Sequence, residues 1–465
     1  MVFDPLQPKR NSFELEAFDV DSRTGFMPLR PPVRRLPAPW AVWEKILDDA
    51  RRDHLQPGDR LGLKLTEMED SERWRAAVRE IPLLPIDNLV KVSELLRRAH
   101  LVLTFIMHFY IHTLPPDSSV LIPRPISIPL LQVAKVLDLP PVVTFSDTVL
   151  YNWNSNSDAA VNPNEIPSLD NIQCQTLFTD TPDESAFYLC SARIELHGVQ
   201  ALNLMRSSID EISIGDSLAI NRLTSYLTSL CTVINELNSL LLDVRKGCDP
   251  EIYYNVVRPW FRGEDSDTYL DPGSGKNRRW VFEGAGDYAD LNMLPPDREL
   301  SGASAGQSSL IHALDVFLGV NHEKPNAPSF MKRMQRYMPR QHRRFLDHLG
   351  KNPRSLREFV LTTSSRDHDD GALKEAYNKV LVSLKEFRDS HMVIAALYII
   401  GPARRAAEAF ASSVLMAAAE TETPMNDAVT GITGTGGTDL VRFLKGVRHQ
   451  TIRTMFSDEE YAGSS

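Results

Sequence analysis

His391 stands between a polar stretch, Lys385–Ser390, and an apolar run, Met392–Ile400. On a helix, the i, i+3, i+4, i+7 rule gathers Leu384, Phe387, Arg388, His391, Ala395 and Tyr398 on one face. A neutral imidazole on an apolar face, with a fixed cation one turn before it, suits an axial haem ligand beside a cofactor's acidic edge. The same pattern also describes a hydrogen-bonded core histidine, which is the commoner occupant of such a position.

Other residues carry weaker signals. Gly302-Ala303-Ser304-Ala305-Gly306 matches G-x-S-x-G, the nucleophile elbow of serine hydrolases. That chemistry needs a strand entering the turn, and Pro295–Ser301 is not one. Small residues there would instead let backbone approach a flat ligand closely. Gly434-Thr435-Gly436-Gly437-Thr438-Asp439 lacks the Lys of a P-loop and a preceding strand, so it reads as a plain loop or a hinged lid. His108 and His112 have the i, i+4 spacing of a helical metal pair, but no Glu follows His108 and a core reading is favoured. His322-Glu323 lacks the second His of a zincin. Arg366–Asp370 reads as a solvated acidic loop, and Arg343-Arg344 and Arg404-Arg405 as solvated helix faces. Tyr253–Trp260 is aromatic with one embedded arginine. Tyr253 and Arg258 could offer a stacking face and a carboxylate clamp, or simply an amphipathic core segment.

Helices must position these groups. Periods near 3.6 cover Trp40–Asp53, Thr66–Arg79, Asp87–Thr113 and Ser127–Leu137. Further on they cover Glu184–Glu211, Asp216–Lys246, Ser309–Val320, Ser329–Leu349, Ser355–Thr362, Gly371–Ile400 and Thr438–Thr454. Pro140–Phe145 reads as extended, 151–172 as a surface loop, 262–303 as an irregular connection, and 402–432 is undecided. Strand patterns are almost absent, so the expected fold class is all-α, with a small N-terminal helical domain and a large C-terminal helical bundle. The expected division is an extended N-terminal arm (1–39), a small helical domain (40–138), a linker (139–175) and a large helical domain (176–465).

With 465 residues, 42% hydrophobic and 24% charged, the chain has room for a sizeable core. Its net charge of −10 argues against bulk nucleic-acid binding. Leu101–Leu114 is too short to span a bilayer, and the N-terminus has no secretory signal pattern. Four cysteines without a CxxC pair imply neither a thiolate cage nor a disulfide framework. A cytoplasmic protein is expected, with no nucleic-acid or membrane partner.

Several pieces recur in one order: Phe187 and Ser191, Arg258, Ser304-Ala305-Gly306-Gln307-Ser308-Ser309, Arg336-Tyr337-Met338-Pro339, His391, and Gly434-Thr435-Gly436-Gly437-Thr438-Asp439. This set resembles the indoleamine 2,3-dioxygenase family, in a fungal-type form, from about Phe18 to Phe456. The resemblance implies a monomeric all-helical protein holding haem b with one iron and a proximal histidine. It implies cleavage of the indole C2–C3 bond of L-tryptophan or related indoles with O2, giving N-formylkynurenine, and an electron donor that keeps the iron ferrous. It makes His391 the iron ligand, with Arg388 near the haem propionates and Asp315 supporting haem binding. It places Phe145, Phe187 and Tyr253 in the substrate pocket, Arg258 on the substrate carboxylate and Thr435 in a mobile loop. Ser191, Ser304, Ala305 and Gly306 fall on the distal side.

Three positions depart from the family pattern. Phe145 stands where a tyrosine is familiar, Tyr253 where a phenylalanine is, and Ala303 where a glycine is. They keep open an alternative, a haem-binding relative that acts as a sensor or on another indole.

Overall fold

Periodic apolar faces become helices along most of the chain. The computed structural model describes residues 15–156, 166–267, 278–287, 300–322, 328–351, 355–364, 371–406, 408 and 440–456. The first helices are α1 (Ala41–Arg52), α2 (Leu65–Arg79), α3 (Ser93–His112) and α4 (Arg124–Leu137). In α1, Trp43, Ile46, Leu47 and Ala50 form the buried stripe. In α3 every residue from Ala99 to His112 is buried, the mark of a helix enclosed on all sides. Helix α3 begins six residues later than its sequence suggests, because Asp87–Val92 forms turns that carry the β-branched Val90 and Val92. Helix α4 starts earlier than expected. Pro125 lies in its first turn, where a missing N–H costs nothing, and Asp138 ends it at φ 55°.

Strands are limited, among the described residues, to two two-stranded sheets. β1 (Val120–Ile122) pairs in parallel with β4 (Trp280–Phe282), and β2 (Trp153–Ser155) pairs antiparallel with β3 (Ile172–Cys174). The segment 141–150 is not peripheral: every one of its residues is buried.

Two expected helices are broken. Glu184–Glu211 divides into α5 (Pro182–His197) and α6 (Val199–Ile214). The break is at Gly198, where a Cβ would stand 2.1 Å from Leu310 Cδ2. Ser329–Leu349 divides into α10 (Phe330–Met334), a 3-10 turn (Gln335–Tyr337) and α11 (Arg340–Gly350). Pro339 forces Met338 to an extended ψ of 151° and interrupts the run. The long helices are α7 (Ser217–Leu242), started by the Asp216 side chain on Ala219 N (2.7 Å), and α13 (Ala372–Ala395). Helix α13 packs on α7 and on α14 (Leu440–Thr454). The remaining helices are α8 (Pro250–Ile252), α9 (Ser309–Leu318) and α12 (Leu356–Ser364).

One apolar core runs from Leu15 to Phe456 and joins the early helices to the later ones. Buried polar contacts stitch the same seam. His108 Nδ1 meets the Trp260 carbonyl at 2.8 Å, and His112 Nε2 meets the Arg262 carbonyl at 3.0 Å. Both histidines are thus core residues. Arg343 is not solvated as expected. Its guanidinium binds the carbonyls of Asp138, Arg336 and Met338. Among the described residues no helix is long and apolar enough to cross a membrane.

Candidate active site

Helix α13 presents Phe387, Arg388, His391, Ile394 and Ala395 to one cavity, and Tyr398 and Ile399 follow on the next turn. Across from it, α5 contributes Phe187, Ser191, Ile194 and Glu195. Their spacing of three and four residues puts them on one face. The turn Ala303–Gly306, with Ser308 and Ile311, forms another wall. Phe330, Met331, Phe443 and Val447 extend it.

Three π-helical turns stand around this space: Ser146–Leu150, Tyr253–Val257 and Ala396–Ile400. Each supplies wall residues, namely Thr148 and Val149, Tyr253, and Tyr398 with Ile399. A π turn inserts one residue and re-aims the side chains that follow, a device common at functional sites.

His391 is partly exposed toward the cavity. Among the described residues neither of its ring nitrogens has a hydrogen-bond partner. Burial, assisted by the nearby Arg388 cation, lowers its pKa to about 4, so the imidazole is neutral. Arg388 is itself buried and paired, donating to Asp315 Oδ1 and to Thr451 Oγ1. Asp315 lies behind the wall and also accepts from His322 Nε2 at 2.8 Å.

Tyr253 and Phe187 pack with ring centroids 4.5 Å apart, and Tyr253 also meets the Tyr398 ring edge-on at 5.7 Å. Phe145 lines the cavity, and its backbone N–H donates to Gln307 Oε1 at 2.8 Å. Gln307 Nε2 donates to the Gly302 carbonyl at 2.8 Å, so one buried amide spans two walls. The described residues before Ser304, 300–303, form no strand, and its Oγ accepts from Gly306 N at 3.2 Å. The hydrolase match therefore fails at its geometry.

Arg258 is not a wall residue. It sits just past Tyr253, with its guanidinium 5.3 Å from the Tyr254 ring centroid. Burial lowers its pKa, while Tyr253 and Tyr254 act in the opposite sense. Thr435 with its glycine cluster, and Arg366–Asp370, lie outside the described residues. The cavity thus gathers Phe145, Phe187, Ser191, Tyr253, Ser304, Ala305, Gly306, Arg388 and His391, with Asp315 one layer behind.

Glu195 escaped the reading of the sequence. It is 1% exposed, it lines the cavity, and among the described residues only one of its oxygens is bonded, to Ser308 Oγ at 2.5 Å. Desolvation raises its pKa to about 7, against the Ser308 hydrogen bond. The signal was present: Phe187, Ser191 and Glu195 follow one another at i+4.

The sequence profile of the family described as indoleamine 2,3-dioxygenase matches residues 14–454. The chain belongs to the indoleamine 2,3-dioxygenase family. An indoleamine 2,3-dioxygenase of Saccharomyces cerevisiae is 32% identical over 457 residues, covering 95% of this chain and 93% of the relative. Indoleamine 2,3-dioxygenase 1 of Rattus norvegicus is 28% identical, covering 95% and 96%. A 6-hydroxytryptophan 2,3-dioxygenase of Fusarium equiseti is 29% identical, covering 95% and 98%. The indoleamine 2,3-dioxygenase family is haem-dependent, and this member is an oxidoreductase, a haem dioxygenase acting on indoles. The helical fold agrees with that membership.

Proposed function

We propose that the chain cleaves the C2–C3 bond of L-tryptophan with O2, giving N-formylkynurenine, and that His391 is the proximal ligand of haem b. The observation that carries this reading is the His391 imidazole: neutral, facing an apolar cavity, with no hydrogen-bond partner among the described residues. A neutral ring nitrogen that faces an apolar cavity without a partner is free to give its lone pair to a bound metal centre. The donor set fits haem. No group of three or more His, Cys, Asp or Glu that could cage a metal occurs among the described residues, and haem asks the protein for one imidazole.

Bound there, haem supplies the redox centre for the reaction with O2. The chain's residues supply position. Arg388, held by Asp315 and Thr451, would offer its charge to the cofactor's acidic groups. Phe187 and Tyr253 offer rings against which an indole can pack. Ser191 and Ser304 bring hydroxyls to the cavity, and Ser304 keeps its proton available because its bonded lone pair faces Gly306 N. Ala305 and Gly306 keep that wall thin. The family resemblance gives the substrate carboxylate to Arg258, which adjoins the wall residue Tyr253. The apolar walls exclude water, which strengthens each polar contact with the substrate. Positioning then contributes most of the rate.

A second reading has support of its own. The Fusarium relative is named for 6-hydroxytryptophan, and Phe145, Tyr253 and Ala303 alter the wall's polarity and volume. Under it the chain prefers a substituted indole. The test is haem-loaded, reduced protein given O2 and either L-tryptophan or 6-hydroxytryptophan, with the ring-opened N-formyl product measured. Product from neither indole, at full haem content, removes the dioxygenase reading. His391→Ala is expected to lose haem or to hold it without turnover. Unchanged haem spectra and activity in that variant remove the ligand assignment.

A further inference from the structure

The turn that carries Ser304, Ala305 and Gly306 is held at its start by Tyr337 and at its end by His312, which Gln335 of the same Gln335–Tyr337 segment contacts in turn. At the start of the turn, Ser301 N–H donates to Tyr337 Oη at 2.8 Å. At its end, the Gly306 carbonyl meets His312 Nε2 at 2.9 Å. That is the only hydrogen bond of this carbonyl among the described residues. A carbonyl can only accept, so Nε2 carries the proton. His312 Nδ1 is then a lone pair, and it takes the Gln335 Nε2–H at 3.3 Å. Both ring nitrogens are therefore assigned, and the tautomer is locked from outside. His312 is 3% exposed and lies behind the wall rather than in it. Desolvation lowers its pKa to about 4, so it stays a neutral donor. Gly306 has little slack on its other side. A Cβ there would stand 3.0 Å from Phe330 Cε1 and 3.4 Å from Met334 Cγ.

We propose that His312 is a positioning residue that sets where the Ser304–Gly306 wall stands against the bound indole, and so contributes to discrimination between indoles. This rests on the reading that the Ser304–Gly306 turn faces the substrate. The imidazole touches neither substrate nor cofactor. It acts through the Gly306 carbonyl, which without it would lose its only donor among the described residues.

The test compares full-length haem-loaded wild type, His312→Leu and His312→Gln. Three quantities are measured: the Kd of L-tryptophan from the haem absorption change, the ratio of kcat/KM for L-tryptophan to that for 6-hydroxytryptophan, and the C–O stretch of added carbon monoxide on the reduced protein. His312→Leu is expected to keep haem, to weaken binding about tenfold, to change the ratio, and to move the stretch. His312→Gln, which keeps an N–H of similar reach, is expected to restore most of each. Wild-type values of all three in His312→Leu would overturn the proposal. So would a Gln variant as impaired as Leu, since that would reduce His312 to packing volume. If His312→Leu does not fold, Gln335→Leu unlocks the tautomer with the imidazole still in place. It should move the same quantities in the same direction, and no movement overturns the proposal. A wild type that oxidises neither indole removes the dioxygenase reading instead, and the Kd and the stretch still decide the role of His312.

Discussion

The Asp315 carboxylate accepts a hydrogen bond from the Arg388 guanidinium across 73 positions of sequence. Burial alone would raise the carboxyl's pKa. Arg388 and His322 overcome burial and hold it below its ordinary value. Arg388 lines the cavity one helical turn before His391, and Asp315 stands one layer behind it.

Asp315→Ala should therefore be severe. Removing one partner of a buried pair leaves the other charge uncompensated, at a cost of about 3–5 kcal/mol. We expect a lower unfolding midpoint in urea and weaker haem retention on a desalting column. Asp315→Asn should fall between, because it keeps an acceptor. An Asp315→Ala protein with wild-type midpoint and haem content would show that the pair orients nothing.

Glu195 makes stability depend on pH. Its pKa rises from 4.5 to about 7 on folding, chiefly through burial. The folded state then binds more protons than the unfolded state between those values, so stability is fully present below pH 4.5 and is lost as pH rises through 7. The loss approaches roughly 3 kcal/mol above pH 8. Glu195→Gln keeps an acceptor for Ser308 and cannot ionise. It should be more stable than wild type at pH 8, with the gain shrinking toward pH 5. Parallel stability curves across that range would refute the shift.

Gln307 spans Phe145 and Gly302 with a single buried amide. Gln307→Met keeps the volume and strands an N–H and a carbonyl. Each unmet group costs about 1–3 kcal/mol. Thermal unfolding should begin earlier, and hydrogen exchange at the Phe145 amide should accelerate. An unprotected Phe145 amide in the wild type would contradict the bond outright.

Gly198 admits Leu310 where a side chain cannot stand. Gly198→Ala should destabilise by about 1–3 kcal/mol through overpacking. The double variant with Leu310→Ala should lose less than the sum of the two single variants, because they share one contact. Strict additivity would mean the helices separate for another reason.

The face of α13 was readable because its period is local. Phe387, Arg388, His391, Ala395 and Tyr398 share it in the sequence and in the cavity. The family motifs likewise pointed to Phe187, Ser191 and the Ser304–Gly306 turn, which the fold brings together. What escaped depends on distant partners. The break at Gly198 needs Leu310, and the burial of 141–150 needs helices on either side. The Arg343 contacts need the carbonyl of Asp138, far upstream. No periodicity carries such information. Pro339 was visible, and its power to divide 329–349 follows from its effect on Met338. Arg258, read as a carboxylate clamp, adjoins the wall residue Tyr253 and stacks near the Tyr254 ring.

The bond from Thr451 to Arg388 ties the last described helix to the residue nearest His391 in this network. Chains fold largely from the N-terminus as they emerge during synthesis. Arg388 therefore leaves the ribosome before the threonine that fixes it, and α14 must dock before the guanidinium is held on both sides. A cofactor that needs Arg388 held on both sides would therefore be captured only once α14 has been made and has docked.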